Sequence, residues 1–382
     1  MRRLLVLVTS IIFVDALLFT ALTPLVPEYA RTFGLSRLGA GILVGAFGAG
    51  AVLGGIPGGI AAARFGPRAA VVLGLILLAV ASFAFAFGDS AETLAAARFV
   101  QGFASTTTWA GALSWIATST PKEQRGSVLG TAFGAAVFGA VLGPVFGAVA
   151  HYVGVRPSFV TLGLVALVFV VLASRAQSDR GEKLSFAGVR RAFHDVRFVG
   201  GLWLNALPAM LFGMMMVLAP LALADAGWST FAIALVFFVS ISLESLVNPF
   251  LGRLIDRSGP LGPTRIALTA SALVSAGLAA ATGAVPIAVL AVFAGVSFGG
   301  FYAPGLTLTS HRADAAGLSQ GLAFGIMNSA WALGALAGPL LGGAVAVTAG
   351  DGAPYLLGTA ACVLTLGATV RIAPRKARAH AA

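Results

Sequence analysis

Three ionisable residues interrupt stretches of this chain that are otherwise apolar: Asp15, Arg98 and Glu244. Asp15 follows Leu4 by 11 residues, ~17 Å along a helix at 1.5 Å per residue, near the centre of a helix that spans a bilayer. A carboxyl group at that depth costs at least ~2.5 kcal/mol on insertion scales, so it must face a partner or a wet cavity. There it can take up and release a proton. The competing role is a structural acid held by hydrogen bonds. Glu244 is the second such acid. Ser240, Glu244 and Asn248 lie four apart and form a polar stripe on one helix face, suited to a water-filled path or to bonding between helices. Arg98 begins a stripe with Gln101, Ser105 and Trp109. It either snorkels outward to Glu92 or Asp89 or reaches inward to Asp15 and couples to its proton. Asp15, Glu244 and Arg98 are the candidate proton-coupling residues.

A small molecule would also need a wall to bind. Thr23, Gln101, Trp109, Asn205, Asn248, Asn328 and Trp331 offer polar or aromatic groups within apolar sequence. Met210 and Met214 belong to a Met-rich run whose flexible side chains suit an adaptable pocket, although the same residues also fill cores. No catalytic constellation accompanies them. The chain lacks a Gly-x-x-x-x-Gly-Lys-Ser/Thr nucleotide loop, and its four His have no metal-ligand spacing. No cofactor, metal or enzymatic activity is expected.

The elements that must position these residues follow from composition. Hydrophobic residues make up 58% and charged residues 10% of the 382, against about 25% charged in soluble domains; mean hydropathy is +0.97. Apolar runs of 18 or more residues recur, each long enough to cross ~30 Å of hydrocarbon as a helix. Twelve spans are expected, at roughly 4–29, 39–62, 69–88, 94–118, 127–150, 157–174, 199–224, 231–252, 265–284, 286–309, 318–348 and 355–371. Pro286 marks the turn between the ninth and tenth. This is an all-α polytopic membrane protein built as an N-terminal six-helix bundle (1–174), a cytoplasmic linker (175–198) and a C-terminal six-helix bundle (199–382). Phe186, Val189 and Phe193 give the linker a helical apolar spacing, so part of it is either an amphipathic surface helix or a plain tether.

Basic residues orient the bundle. Twenty of the 24 Lys and Arg fall on the side of the termini, three (Arg31, Arg37, Arg156) on the other, and Arg98 lies within a span. Positive loops face the cytoplasm, so both termini are expected there. The formal charge of +11 is thus a topological signal, with no soluble basic domain to serve as a nucleic-acid surface. Arg2-Arg3 before an apolar run resembles a signal peptide, but Asp15 and the absence of a cleavage site favour a retained helix. Cys362 is the lone cysteine and is expected to be a small core residue.

The halves repeat. Gly130, Gly139, Gly143, Pro144 and Gly147 recur 195 residues later as Gly325, Gly334, Gly338, Pro339 and Gly342. Gly139, Gly143 and Gly147 form a smooth stripe for close helix approach, and Pro144 bends the helix. This suits either a rocking hinge or plain tight packing. At an offset of 193, Gly59 to Gly66 pairs with Gly252 to Gly259, and Pro27, Gly34 and Ser36 pair with Pro220, Gly227 and Ser229. Such parallel repeats occur in secondary transporters.

These motifs resemble those of the major facilitator superfamily. Gly252-x-x-x-Asp256-Arg257-x-Gly259 looks like its signature loop, which implies a latch between the halves. The first copy, with Gly59, Arg64 and Gly66, has Ala63 where the family usually has Asp. Arg98-x-x-Gln101-Gly102 resembles the family's motif implicated in proton handling. The Gly130 to Gly147 frame is similar to that of its drug/proton antiporter branch, and Asp15 to Tyr29 resembles the first span of multidrug exporters and vesicular amine transporters. The resemblance implies proton-coupled export of a small lipophilic or cationic compound by alternating access. The expected partners are that substrate, protons and lipid, for a monomer in a bacterial cytoplasmic membrane. The alternatives are an importer of sugars or other metabolites and, outside the class, a non-transporting membrane enzyme or sensor.

Overall fold

A computed structural model describes residues 2–121, 124–177, 188–318 and 320–371. The helices are α1 (Arg2–Ala21), α2 (Val26–Thr32), α3 (Arg37–Phe65), α4 (Pro67–Phe87), α5 (Ala91–Ser119), α6 (Arg125–Val153), α7 (Val155–Arg175), α8 (Val189–His194), α9 (Val196–Asp225), α10 (Thr230–Ser258), α11 (Leu261–Ala280), α12 (Ala284–Gly299), α13 (Tyr302–Ala315), α14 (Gln320–Ala349) and α15 (Ala353–Arg371). Nine stretches among the described residues are long and apolar enough to cross a membrane. The α5, α11 and α15 helices pack among them, and α5 owes its lower hydropathy to Arg98, Gln101 and a run of Ser and Thr.

All twelve expected spans appear as helices, but two are broken. The first runs as α1, a 3-10 turn over Thr23–Leu25, then α2. Pro24 and Pro27 each remove a backbone donor there. The tenth breaks at Gly300 and Phe301 between α12 and α13. Pro286 lies inside the first turn of α12 instead of at the turn before it; Gly283, at φ 92°, makes that turn. Of the linker's apolar positions, Val189 and Phe193 fall on the short α8, and Phe186 lies outside the described residues.

The sequence repeat is a structural repeat. The first span packs on the fifth as the seventh packs on the eleventh, the second on the fourth as the eighth on the tenth, and the third on the sixth as the ninth on the twelfth. Local chemistry repeats too. Ser36 caps α3 by accepting from the Gly39 amide at 3.2 Å, and Ser229 caps α10 by accepting from the Ala232 amide at 3.2 Å. Gly34 and Gly227 (φ 62° and 84°) precede these caps, and Gly66 and Gly259 (φ 92° and 77°) end the same two helices. Such backbone angles favour glycine over any residue with a Cβ.

The glycine frames bring two helix pairs to backbone contact. A Cβ at Gly139, Gly143 or Gly147 would strike Phe13, Thr20 or Ala21 of the first span; at Gly334 or Gly338 it would strike Ala206 or Met210 of α9, and at Gly342 it would crowd Met214. The closeness lets Thr20 Oγ1 donate to the Ala140 carbonyl at 2.9 Å. Gly130 and Gly325, the first members of each frame, have no such neighbour.

The α3 and α14 helices cross the boundary between the halves. Gly41 abuts Pro339, Gly48 abuts Ala335 and Leu336, Gly55 meets Ser329, and Gly343 abuts Arg37 and Leu38. No heavy atom lies within 4 Å of a Cβ built at Gly59, the next position toward the termini. The α6 and α10 helices form the equivalent second crossing. The halves thus converge at the end remote from the termini. At the rim of that end Arg37 Nη2 donates to Asp225 at 2.6 Å and to Asp351 at 3.2 Å.

Candidate functional site

Where the crossings meet, a cavity of about 170 Å³ opens between the halves. Its wall is largely apolar: Phe19, Val44, Phe212, Met216, Ile241 and Trp331 contribute from both sides. Phe19 packs edge-on to Trp331 with ring centroids 5.2 Å apart, bridging first and eleventh spans. Gly48, Ala335 and Pro339 form the end of the cavity at the α3–α14 crossing. Polar groups are few. Thr20, Thr23 and Arg98 face it from the first half, Glu244 and Tyr302 from the second.

Glu244 is the single carboxyl group among the lining residues. It lies on α10 against Gly299, where any Cβ would strike the carboxylate, and interacts with Asn248 one turn along and with Tyr302 across the gap. Tyr302 in turn meets the Trp331 side chain. The polar stripe of α10 therefore divides by role. Ser240 donates to the Ala291 carbonyl at 2.8 Å and joins two helices, whereas Glu244 faces open space.

Asp15 is buried behind the wall. Ser105 Oγ donates to Asp15 Oδ2 at 2.7 Å, and Trp109 Nε1 donates to the same oxygen at 2.8 Å. Both donors lie on the face of α5 that starts at Arg98. Of the two directions its position suggested, Arg98 takes the inward one and acts on Asp15 only through space. It does not snorkel, being only 2% exposed, and it makes no ion pair with Asp15. Its Nη1 donates to the Leu18 carbonyl at 3.2 Å and to Gln101 Oε1 at 3.0 Å, and its Nη2 to the Phe19 carbonyl at 3.4 Å. The guanidinium also lies 4.9 Å from the centroid of the Phe47 ring. The break at Thr23–Leu25 leaves carbonyls near the end of α1 without helical donors, and Arg98 reaches the turn that precedes it.

Of the sequence-derived cavity candidates, Thr23 and Trp331 line this space; Gln101, Trp109, Asn205, Met210, Met214, Asn248 and Asn328 stand outside its wall. Gln101 holds Arg98, Trp109 holds Asp15, Asn205 is buried with its amide nitrogen unpaired, and Met210 and Met214 back the glycine frame of α14. Sequence reasoning passed over Phe19 and Tyr302. Aromatic residues next to a helix break were the available signal for Phe19 and Tyr302. Among the latch residues, Arg64 lies over the Phe65 ring at 5.6 Å, Gly252 is unencumbered, Arg257 is exposed, and the Asp256 side chain lies outside the described residues.

Comparison with known proteins agrees with this architecture. The chain is 22% identical over 356 residues to multidrug resistance protein 2 of Bacillus subtilis, covering 90% of this chain and 88% of that protein. It is 30% identical over 107 residues, 28% of each chain, to the quinolone resistance protein NorA of Staphylococcus aureus. Among solved structures, a bacterial homologue of the human lysosomal transporter Spinster, in an inward-facing and unoccupied conformation, superposes with a TM-score of 0.73 at 16% identity, covering 97% of this chain and 95% of that one. The nucleoside transporter NupG gives 0.74 at 15% identity, covering 97% and 100%. The sequence profile of the Major Facilitator Superfamily matches residues 8–322. The chain therefore belongs to the Major Facilitator Superfamily, as a multi-pass membrane protein that transports small molecules and is not an enzyme.

Proposed function

We propose that the protein is a proton-coupled exporter of small lipophilic or cationic compounds. The observation that carries this reading is the cavity itself: an aromatic and aliphatic wall in which Glu244 is the single acid. A sugar or similar metabolite would need a ring of hydrogen-bonding partners, since each unpaired hydroxyl of a buried solute is costly. Apolar area and adaptable Met216 instead favour compounds that partition into membranes. Bound cation and bound proton compete for the Glu244 carboxylate, so one leaves as the other arrives. Asp15 supplies a second proton site behind the wall, and Arg98 touches both the cavity and the α1 turn beyond Asp15.

With the termini cytoplasmic, the α3–α14 crossing closes the outer end and the cavity loads from the cytoplasm. Multidrug and quinolone resistance relatives support export. Everted vesicles test the proposal: an imposed proton gradient should drive accumulation of a lipophilic fluorescent cation, and Glu244→Gln and Asp15→Asn should each abolish it. Accumulation by both variants at the wild-type rate would refute the proton assignment. Proton-driven uptake of substrate into intact cells would reverse the direction.

A further inference from the structure

We propose that the cavity selects amphoteric solutes, compounds that carry an anionic group as well as a cation on one lipophilic frame. This rests on the cavity being the substrate site described above and refines which compounds it takes. A guanidinium and a carboxyl group line the space from opposite halves, Arg98 from the first and Glu244 from the second. Among the described residues neither forms an ion pair.

Arg98 makes the stronger demand. It is almost fully buried, and its partners are neutral: two backbone carbonyls, the Gln101 amide oxygen and the Phe47 ring. A guanidinium carries five N–H donors, and three are engaged. Nε has no partner, and one Nη2 hydrogen remains. The amide nitrogen of Gln101 beside it is also unpaired. Asp15, the nearest acid on α1, spends its Oδ2 on Ser105 and Trp109 and feels Arg98 only through space. Nε and the Gln101 amide nitrogen are buried beneath the wall, so the spare Nη2 hydrogen is the donor left for a cavity ligand. A buried cation in that position favours a carboxylate, because charge-assisted hydrogen bonds are the strong ones. Glu244, with Tyr302 and Trp331 beside it, offers the matching end for an amine. A solute with only the cation leaves Arg98 unsatisfied; one with both charges satisfies each half of the transporter at once.

Rhodamine B and its ethyl ester isolate the anionic group, since they share a cationic chromophore and differ in whether the carboxylate is free. Fluorescence polarisation on the purified full-length protein, without a gradient, should give about tenfold tighter binding of the free acid, in line with one charge-assisted hydrogen bond. Arg98→Gln should bring the ratio of the two dissociation constants to about one, Arg98→Lys should keep it above one, and Glu244→Gln should weaken both dyes while leaving the ratio unchanged. Should Arg98→Gln be recovered only unfolded, the wild-type ratio decides alone. A wild-type ratio of one or less, or a ratio unaffected in folded Arg98→Gln, overturns the inference. A preserved preference with no transport of either dye in vesicles sustains it and counts against the exporter reading instead.

Discussion

Enlarging Gly48 by one methyl group should tip the protein out of the conformation described above. A Cβ at Gly48 would come within 2.6 Å of the Ala335 carbonyl carbon and 2.8 Å of Leu336 Cα. Ordinary contact begins at 3.4 Å, so the shortfall is about 0.8 Å at the nearer atom. Both obstacles are backbone of α14 and cannot rotate aside, so the helices must part. Overpacking of this kind costs ~1–3 kcal/mol, a shift of about 5–150-fold in a two-state equilibrium. The cost falls only on the conformation in which α3 touches α14, so the population open at the far end should rise. Gly59→Ala, eleven residues along the same helix, provides the control, because nothing lies within 4 Å of its Cβ. A cysteine at cavity-lining Thr23, in a Cys362→Ala background, reports access. Its reaction with an impermeant maleimide should slow from the terminal face and quicken from the opposite face in Gly48→Ala, and stay as in the parent in Gly59→Ala. Equal rates in both variants, with folding intact, would refute the reasoning.

Other expectations concern the polar contacts. Arg37→Gln removes the ion pairs to Asp225 and Asp351 at the remote rim; since these side chains are more than a third exposed, each pair contributes at most about 1 kcal/mol. The far-end labelling of the same reporter should therefore rise only severalfold, and added salt should reproduce the effect in the wild type. Trp109→Phe deprives Asp15 of its 2.8 Å donor and should lower unfolding stability by about 1.5–3 kcal/mol. In an Asp15→Asn background the cost should shrink below about 1 kcal/mol, measured by thermal unfolding of the four proteins of the cycle.

Apolar runs and the turn residues between them were enough to place twelve helices, although only nine stretches among the described residues reach the length and hydropathy of a span by themselves. The breaks were harder to read. Pro24 and Pro27 lie in an unbroken apolar run, and apolarity does not distinguish a kink from a straight helix. The glycine stripes were equally visible, yet a stripe advertises a close neighbour without naming it; only the packing pairs α6 with the first span and α14 with α9. Arg98 is the sharpest lesson. A helix wheel offered an outward or an inward acid. The guanidinium lies inward and meets Asp15 only through space, while its hydrogen bonds go to the carbonyls of Leu18 and Phe19, which side-chain patterning cannot name. The Met run was legible only in part. Met214, Met215 and Met216 point three ways around one helix, so at most part of the run can face any single cavity, and it is Met216 that does.

Gly48, Ala335 and Pro339 belong both to the wall of the cavity and to the crossing that shuts it. Roof and seal share the same residues. A solute tall enough to touch that roof pushes directly on the joint, with no relay of side chains between cargo and gate. Bulk then becomes a mechanical quantity: small cargo leaves the joint at rest, larger cargo loads it, and cargo beyond the gap cannot be enclosed at all. A transporter built this way gauges what it carries by how hard the load leans on the door.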